Sequence, residues 1–367
     1  MKKLTVNIIA GCLQVNLTQE TMPLETLLTF ASRENPKRGY LFVSKVLGKH
    51  IPCPPSRMRA VQNALAKQVT LNDPQVLVVG MAETAIALAG GVAHSLSQQN
   101  PDVDVIYTQT TRHTLTQPIA FTIDENHSHA PDHIVYQMPA PLNDIAKQTR
   151  HVVIVDDEIS TGRTLQVLSK KFQEHYPQIE KITWVSIANW LTDAQQQSHR
   201  AMLAGLEIEF ISLLAGHFSF QQHSEFNPKL PDNIDGGIAK TQARKDTGRM
   251  GLRINELSYR MMPPPEKSEP VVIVGHGEFV LQPYLWAEAL EKQGMDVLFQ
   301  STTRSPIMSG DAIERKIEFS NSNTPSTTQF CYNLPNDRQI IYSYETAEHA
   351  ALCGLRKKHP GQAVILC

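Results

Sequence analysis

The sequence predicts a two-domain α/β protein whose parallel sheet carries helices on both faces. Three observations support this. Short β-branched apolar runs alternate with segments of helical period, the pattern of successive βαβ units. The order of elements in the first half recurs in the second. The chain has 367 residues, which at ~150 per domain allows two cores.

The clearest strands of the first half are Gln75–Gly80 (QVLVVG), Val103–Gln109, His151–Val155, Lys181–Ala188 and Ile208–Leu214. Ala82–Ser97 and Arg163–His175 read as helices; the second has Leu165, Leu168 and Phe172 at helical spacing. Right-handed crossovers would place ligands at the carboxyl ends of the strands. From Gly216 the texture becomes irregular, rich in Gly, Asn, Asp and Pro, and it ends in Pro263-Pro264-Pro265, which neither an interior helix nor a central strand accepts. A second α/β unit then starts: strand Val271–Gly275, helix Leu281–Gln293, strand Met295–Gln300, strand Gln339–Tyr342, helix Glu345–Lys358 and strand Ala363–Leu366. The expected division is therefore 1–215, an irregular wrapping segment 216–265, and 266–367.

Composition excludes several classes. Hydrophobic residues make up 41% and charged residues 19%, which fits a folded globular chain. A formal net charge of -2 argues against a bulk-electrostatic nucleic-acid binder. No apolar run approaches the ~20 residues that span a bilayer, and the N-terminus lacks a signal-peptide pattern. Five scattered cysteines form no CxxC pair, so neither a disulfide framework nor a cysteine zinc site is expected. The default compartment is the cytoplasm.

The halves overlay in detail. VLVVGMAETA, a helix and DVIYTQTTRHTL in the first match VVIVGHGEFV, a helix and DVLFQSTTRSPI in the second. Gly80 and Glu83 fall on Gly275 and Glu278, Arg112 on Arg304, and Glu158 on Glu345. Apolar periodicity does not require a repeated Thr-Thr-Arg, so an internal duplication is expected.

One segment carries chemistry: Val152 to Val155, then Asp156-Asp157-Glu158-Ile159-Ser160-Thr161-Gly162-Arg163-Thr164. Two carboxylates stand at a strand end, and a loop with hydroxyls and backbone N–H groups opens the next helix. Such a loop favours a phosphate, and the acids suit ribose hydroxyls or Mg²⁺. The segment resembles the 13-residue phosphoribosyl-pyrophosphate (PRPP) signature of type I phosphoribosyltransferases. The resemblance implies their doubly wound sheet, with Asp156 and Asp157 on the ribose hydroxyls and beside Mg²⁺. It also implies that Ser160, Thr161, Gly162, Arg163 and Thr164, counted together with Glu158, hold the 5-phosphate end. Gly80, Met81, Ala82, Glu83 and Thr84 would form the diphosphate loop. Tyr107–Thr114 falls where these enzymes carry a mobile closing loop, with Arg112 either its phosphate-binding cation or a solvated surface arginine. Arg38–Pro52, with Lys45, Lys49 and His50, reads either as the hood over the base or as a strand with a basic turn. His127, His129 and His133 lie in a polar loop, a substrate flap or, least in keeping with Pro131, a zinc site.

Nearly the whole chain also resembles phosphoribosyltransferases with a C-terminal TRSP domain, found near bacterial tellurite-resistance and stress genes. The carriers are RGYLFVSKVLGKHIP, HSHAPDH, GHF at Gly216–Phe218, GRMGL, and GHGEF followed by QSTTRSPI. This implies PRPP and a nucleobase-like acceptor as small-molecule partners, no nucleic acid or membrane, and a homodimer unless the duplication satisfies that interface within one chain. In the second half Ser343 and Tyr344 replace the acid pair, so that half is expected not to bind PRPP in the same way. A PRPP-sensing regulator and a scaffold for a stress complex are the competing readings.

Overall fold

The computed structural model describes residues 2–123, 133–229, 247–257, 269–320 and 328–366. Its larger sheet has eight strands in the spatial order Lys2–Ile8, Gly11–Glu20, Glu207–Gln222, Lys181–Asn189, His151–Ile159, Gln75–Gly80, Asp104–Gln109 and Leu252–Arg253. The five strands from Glu207–Gln222 to Asp104–Gln109 run parallel. Antiparallel strands close both edges, so the sheet is mixed rather than wholly parallel. Chain order reverses between His151–Ile159 and Gln75–Gly80, and that switch point opens a crevice at their carboxyl ends.

A second sheet of four parallel strands has the order Val297–Ser301, Val271–Gly275, Gln339–Tyr344 and Gln362–Ile365. Its switch point lies between Val271–Gly275 and Gln339–Tyr344. Each sheet carries a side hairpin: Ile119–Ile123 with His133–Tyr136, and Lys316–Ser320 with Thr328–Tyr332.

The expected elements recur with moved ends. Arg163–His175 and Gln75–Gly80 keep their bounds, while the expected helix Ala82–Ser97 runs Ile86–Gln99. The expected helix Glu345–Lys358 is broken into Ala347–Leu352 and Leu355–Lys358. The break falls at Gly354, where a Cβ would lie 2.6 Å from the Ser320 carbonyl oxygen. The irregular segment expected from Gly216 begins later. Glu207–Gln222 is one strand with a bulge at Ala215/Gly216, and it pairs with Gly11–Glu20. Phe218 and Phe220 alternate along this stretch and stack edgewise or tilted on Tyr40 at 5.2 and 4.9 Å. The bulge and the small, polar residues between the rings hide that period-2 pattern. The Pro263–Pro265 run lies outside the described residues.

One core cluster spans both units, with Val76, Val78, Ile86 and Leu88 of the first beside Ile273, Tyr284, Leu285 and Phe299 of the second. Helices Pro55–Ala66 and Ile86–Gln99 pack against Leu281–Lys292. Gly90 lets Leu281 approach, since a Cβ there would fall 2.5 Å from Leu281 Cδ1. The Tyr284 hydroxyl donates to Gln62 Oε1 at 2.8 Å, and Arg59 forks onto both oxygens of Glu288 at 2.7 and 3.1 Å. Backbone bonds continue the seam: Cys53 and Phe299 exchange N–H···O bonds at 3.0 and 2.9 Å, and Ser301 N–H donates to Gly48 oxygen at 2.7 Å. Among the described residues no helix is long and apolar enough to cross a membrane, and Cys12, Cys53, Cys331 and Cys353 are free thiols.

Candidate functional site

The candidate site occupies the crevice at the larger sheet's switch point. Strand His151–Ile159 is buried through Val155, and its end then brings Asp156, Asp157 and Glu158 to partial exposure. Asp156, Glu158, Ser160, Thr161, Gly162, Arg163 and Thr164 line one cavity of about 70 Å³, so the acids and the loop share a concave surface. Gly162 holds φ at +69°, and a Cβ there would lie 2.7 Å from His199 Nε2. That ring nitrogen sits 2.9 Å from the Thr161 carbonyl oxygen, which braces the loop from behind. Helix Arg163–His175 starts at once, so its first N–H groups face the loop.

Burial raises the pKa values of the three acids. Asp156 rises well above the usual carboxylate range through burial and the neighbouring Asp157 charge. Asp157 is raised by burial. Glu158 rises to about 7, burial outweighing the pull of Arg38, whose Nη2 is 3.2 Å from Glu158 Oε1. An ionised pair is costly here. That cost falls when sugar hydroxyls donate to the pair or a cation neutralises it. Two adjacent carboxylates fit Mg²⁺, which takes hard oxygen donors and draws its other ligands from water and substrate phosphates. Among the described residues no group of three or more His, Cys, Asp or Glu gathers into a metal cage.

The Gly80–Thr84 turn sits beside this cavity. Met81 N–H donates to Val155 oxygen at 3.0 Å, and Ala82 N–H to Thr110 Oγ1 at 2.9 Å. The Ala82–Glu83 peptide is cis. The Glu83 carboxylate faces two cations: Lys49 Nζ lies 2.7 Å and Arg304 Nε 3.2 Å from its oxygens. Burial alone would raise the Glu83 pKa, but Lys49 and Arg304, with Arg112 further off, hold it down at about 2. Thus Lys49 of the expected hood neutralises Glu83, and Lys45 donates to the Glu25 carbonyl oxygen, away from the cavity. His50 does reach the site.

Tyr107–Thr114, expected as a mobile loop, is fastened. Thr111 exchanges backbone bonds with Ile134 at 2.9 and 2.8 Å. The Tyr136 hydroxyl accepts from Leu115 N–H at 2.6 Å and donates to His113 oxygen at 3.0 Å. Glu278 of the second unit accepts from Arg112 N–H at 2.8 Å and from the Thr111 hydroxyl. His133 is buried, with Nδ1 3.1 Å from Thr110 Oγ1. His127 and His129 lie outside the described residues.

The second unit repeats these contacts. Thr302 Oγ1 accepts from Gly277 N–H at 2.8 Å. Thr303 exchanges backbone bonds with Phe330 at 2.9 and 2.7 Å. The Tyr332 hydroxyl accepts from Ile307 N–H and donates to Ser305 oxygen, both at 2.8 Å. Each unit's Glu therefore reads the other unit's Thr-Thr-Arg segment: Glu83 takes Arg304, and Glu278 takes Thr111 and Arg112. At the second switch point Arg249, 3% exposed, binds both oxygens of Glu345 at 2.8 and 2.9 Å and lies 3.5 Å from Glu278. Burial lowers the His113 pKa to about 4 despite Glu278 nearby, so at neutral pH Arg249 is the cation facing Glu278.

A larger cavity, about 220 Å³, adjoins the acids under the hairpin of Leu28–Ser32 and Tyr40–Ser44. Arg33, Arg38 and His50 reach it from the first unit, and Thr303 and Ser305 from the second. Thr303 belongs to the repeated Thr302-Thr303-Arg304 segment, which the sequence offers as a contact for another anion, the acceptor or the partner domain. Sequence reasoning did not mark Arg33 or Ser305: Arg33 lies ahead of the hood segment, and Ser305 comes from a unit that lacks the acid pair.

Comparison with known proteins gives two family matches. The family model described as phosphoribosyl transferase matches residues 27–217, and that of the TRSP domain, C-terminal to it, matches 237–355. Among solved structures, the adenine phosphoribosyltransferase of Giardia lamblia, complexed with 9-deazaadenine, is 17% identical over 55% of this chain and 99% of its own, with a TM-score of 0.35. That of Trypanosoma brucei, with AMP, pyrophosphate and ribose-5-phosphate, is 13% identical over 58% and 87%, with a TM-score of 0.35. That of Leishmania donovani is 13% identical over 52% and 78%, at 0.34. No curated protein matches the chain.

Proposed function

The chain belongs to the phosphoribosyl transferase family that carries a C-terminal TRSP domain, and from that premise we propose that it is a phosphoribosyltransferase acting on PRPP. It joins the ribose to a base-like acceptor or runs the reverse pyrophosphorolysis. One observation carries the reading: Asp156 and the Ser160–Thr164 loop line one cavity at the switch point, and Asp157 lines the larger cavity that adjoins it.

In this mechanism Asp156 and Asp157 accept the ribose 2- and 3-hydroxyls, and the loop amides hold the 5-phosphate. The acceptor nitrogen forms a bond to C1 as the C1–oxygen bond breaks, and the electron pair leaves with pyrophosphate. The acid pair lies near the positive charge that develops on the sugar, and of the Gly80–Thr84 turn the Glu83 and Thr84 N–H groups would meet the growing negative charge, since those of Met81 and Ala82 are donated within the protein. Bound Mg²⁺, held by Asp156 and Asp157 with the substrate, would neutralise diphosphate charge. Arg112 adds positive field from its fastened segment. Incubation with PRPP, Mg²⁺ and a panel of bases should release pyrophosphate; saturable PRPP binding without release would favour a sensor. The fastening of Tyr107–Thr114 by Glu278 is the observation that favours that second reading.

The matched hydrogen bonds of the two units support descent from an internal duplication, with the second a degenerate Rossmann-like copy. The reading keeps the units at 1–215 and 266–367, with Gly216–Gln222 as the tail of the first sheet. The resemblance to proteins of tellurite-resistance and stress loci suggests that the product is a nucleoside-like metabolite made in the cytoplasm.

A further inference from the structure

We infer that the acceptor is a planar heterocycle carrying an anionic group such as a ring carboxylate, held by Arg33 with the second unit completing its wall; this rests on the transferase reading above. The cavity of about 220 Å³ touches Asp157 and Glu158 on one side, where the sugar would lie, and extends under the hairpin. Phe42 lines it, its ring fixed by stacking on Trp190 at 4.7 Å.

Two cations, Arg33 and Arg38, and two acids, Asp157 and Glu158, line it, with the acids on the sugar side. Arg38 is paired with Glu158, and Lys49 and Arg304 share Glu83. Among the described residues Arg33 has no ion pair and no side-chain hydrogen bond, and its Nε is buried without a partner. Arg38 Nε, both ring nitrogens of His50 and Ser305 Oγ are likewise buried without hydrogen-bond partners, and all four residues line this cavity. Buried polar atoms are almost always satisfied. Four lining residues with five unsatisfied atoms therefore call for a polar ligand, and the guanidinium without an ion pair gives that ligand its sign. A guanidinium fork fits a carboxylate in two parallel bonds. An uncharged base would leave Arg33 unpaired, and such mismatch is how a site rejects close analogues.

The test uses acceptor pairs that differ by one carboxylate, nicotinate against nicotinamide and orotate against uracil, with adenine as a further uncharged ring. Binding to the PRPP-saturated full chain is followed by calorimetry, and turnover by pyrophosphate release. At least one carboxylated ring should bind more tightly than its uncharged counterpart by about tenfold or more. Arg33→Gln should erase that preference while PRPP affinity stays within about threefold, and Arg33→Lys should restore part of it. Tighter binding of the uncharged rings, or no binding of any carboxylated ring to PRPP-loaded protein, overturns the inference and leaves the transferase reading standing. So does an Arg33→Gln variant that loses PRPP affinity with its acceptor preference unchanged, which would make Arg33 a diphosphate contact. Failure of the wild-type chain to bind PRPP overturns the transferase reading, and this inference with it.

Discussion

At the residue scale the site is a set of charges whose partners decide their roles. Asp156→Asn combined with Asp157→Asn removes two charged acceptors, each bond worth about 1.5–3 kcal/mol. PRPP affinity measured by calorimetry should then fall at least about 100-fold, with the circular dichroism spectrum unchanged. Glu83 makes a different kind of contribution. Its pKa is held at about 2, below an ordinary 4.5, so its ion pairs add stability that is complete above 4.5 and lost as pH falls through 2. That shift corresponds to about 3 kcal/mol. In urea titrations Glu83→Gln should be less stable by about that amount at pH 7, and it should lack the wild type's loss between pH 5 and 2. The acid pair was legible from sequence because strand, acids and loop are contiguous. The partners of Glu83 were not, because Arg304 lies 221 positions away and only the folded seam brings them together.

At the scale of elements, the strand–loop–helix unit from His151 to His175 depends on one backbone conformation. Gly162 has positive φ and His199 against its open side. Gly162→Ala should cost about 1–2 kcal/mol for the left-handed conformation alone, seen in urea unfolding. The His199 clash should displace the loop and weaken PRPP binding about tenfold or more. Buried strands and the Arg163–His175 helix were readable because local pattern and burial agree there. The expected strand Ile208–Leu214 is shorter than Glu207–Gln222 because the outer half pairs with the N-terminal hairpin, a long-range contact. The fastened Tyr107–Thr114 segment escaped for the same reason, since its anchor, Glu278, belongs to the other unit.

At the scale of the whole molecule, the two units exchange equivalent contacts, as subunits do across a two-fold interface. Arg249 is central to the second unit. Arg249→Ala would strip the shared guanidinium from buried Glu278 and Glu345, and breaking such a buried pair costs about 3–5 kcal/mol. The variant should show a correspondingly lower urea midpoint, whereas PRPP affinity should change little because Arg249 lies outside the acid-pair cavity. The repeated Gly-x-x-Glu and Thr-Thr-Arg segments were visible in the sequence as a pattern. Their crossed pairing was not, because repetition alone does not say which copy touches which.

The backbone bonds that join Gly48 and Cys53 to the Val297–Ser301 strand bear on how the protein can be handled. Expressed alone, residues 269–367 would leave that border strand with a row of open donors and acceptors. Such a margin recruits other chains, so the fragment should self-associate in sedimentation while the whole chain, its border already occupied, should not do so through this edge.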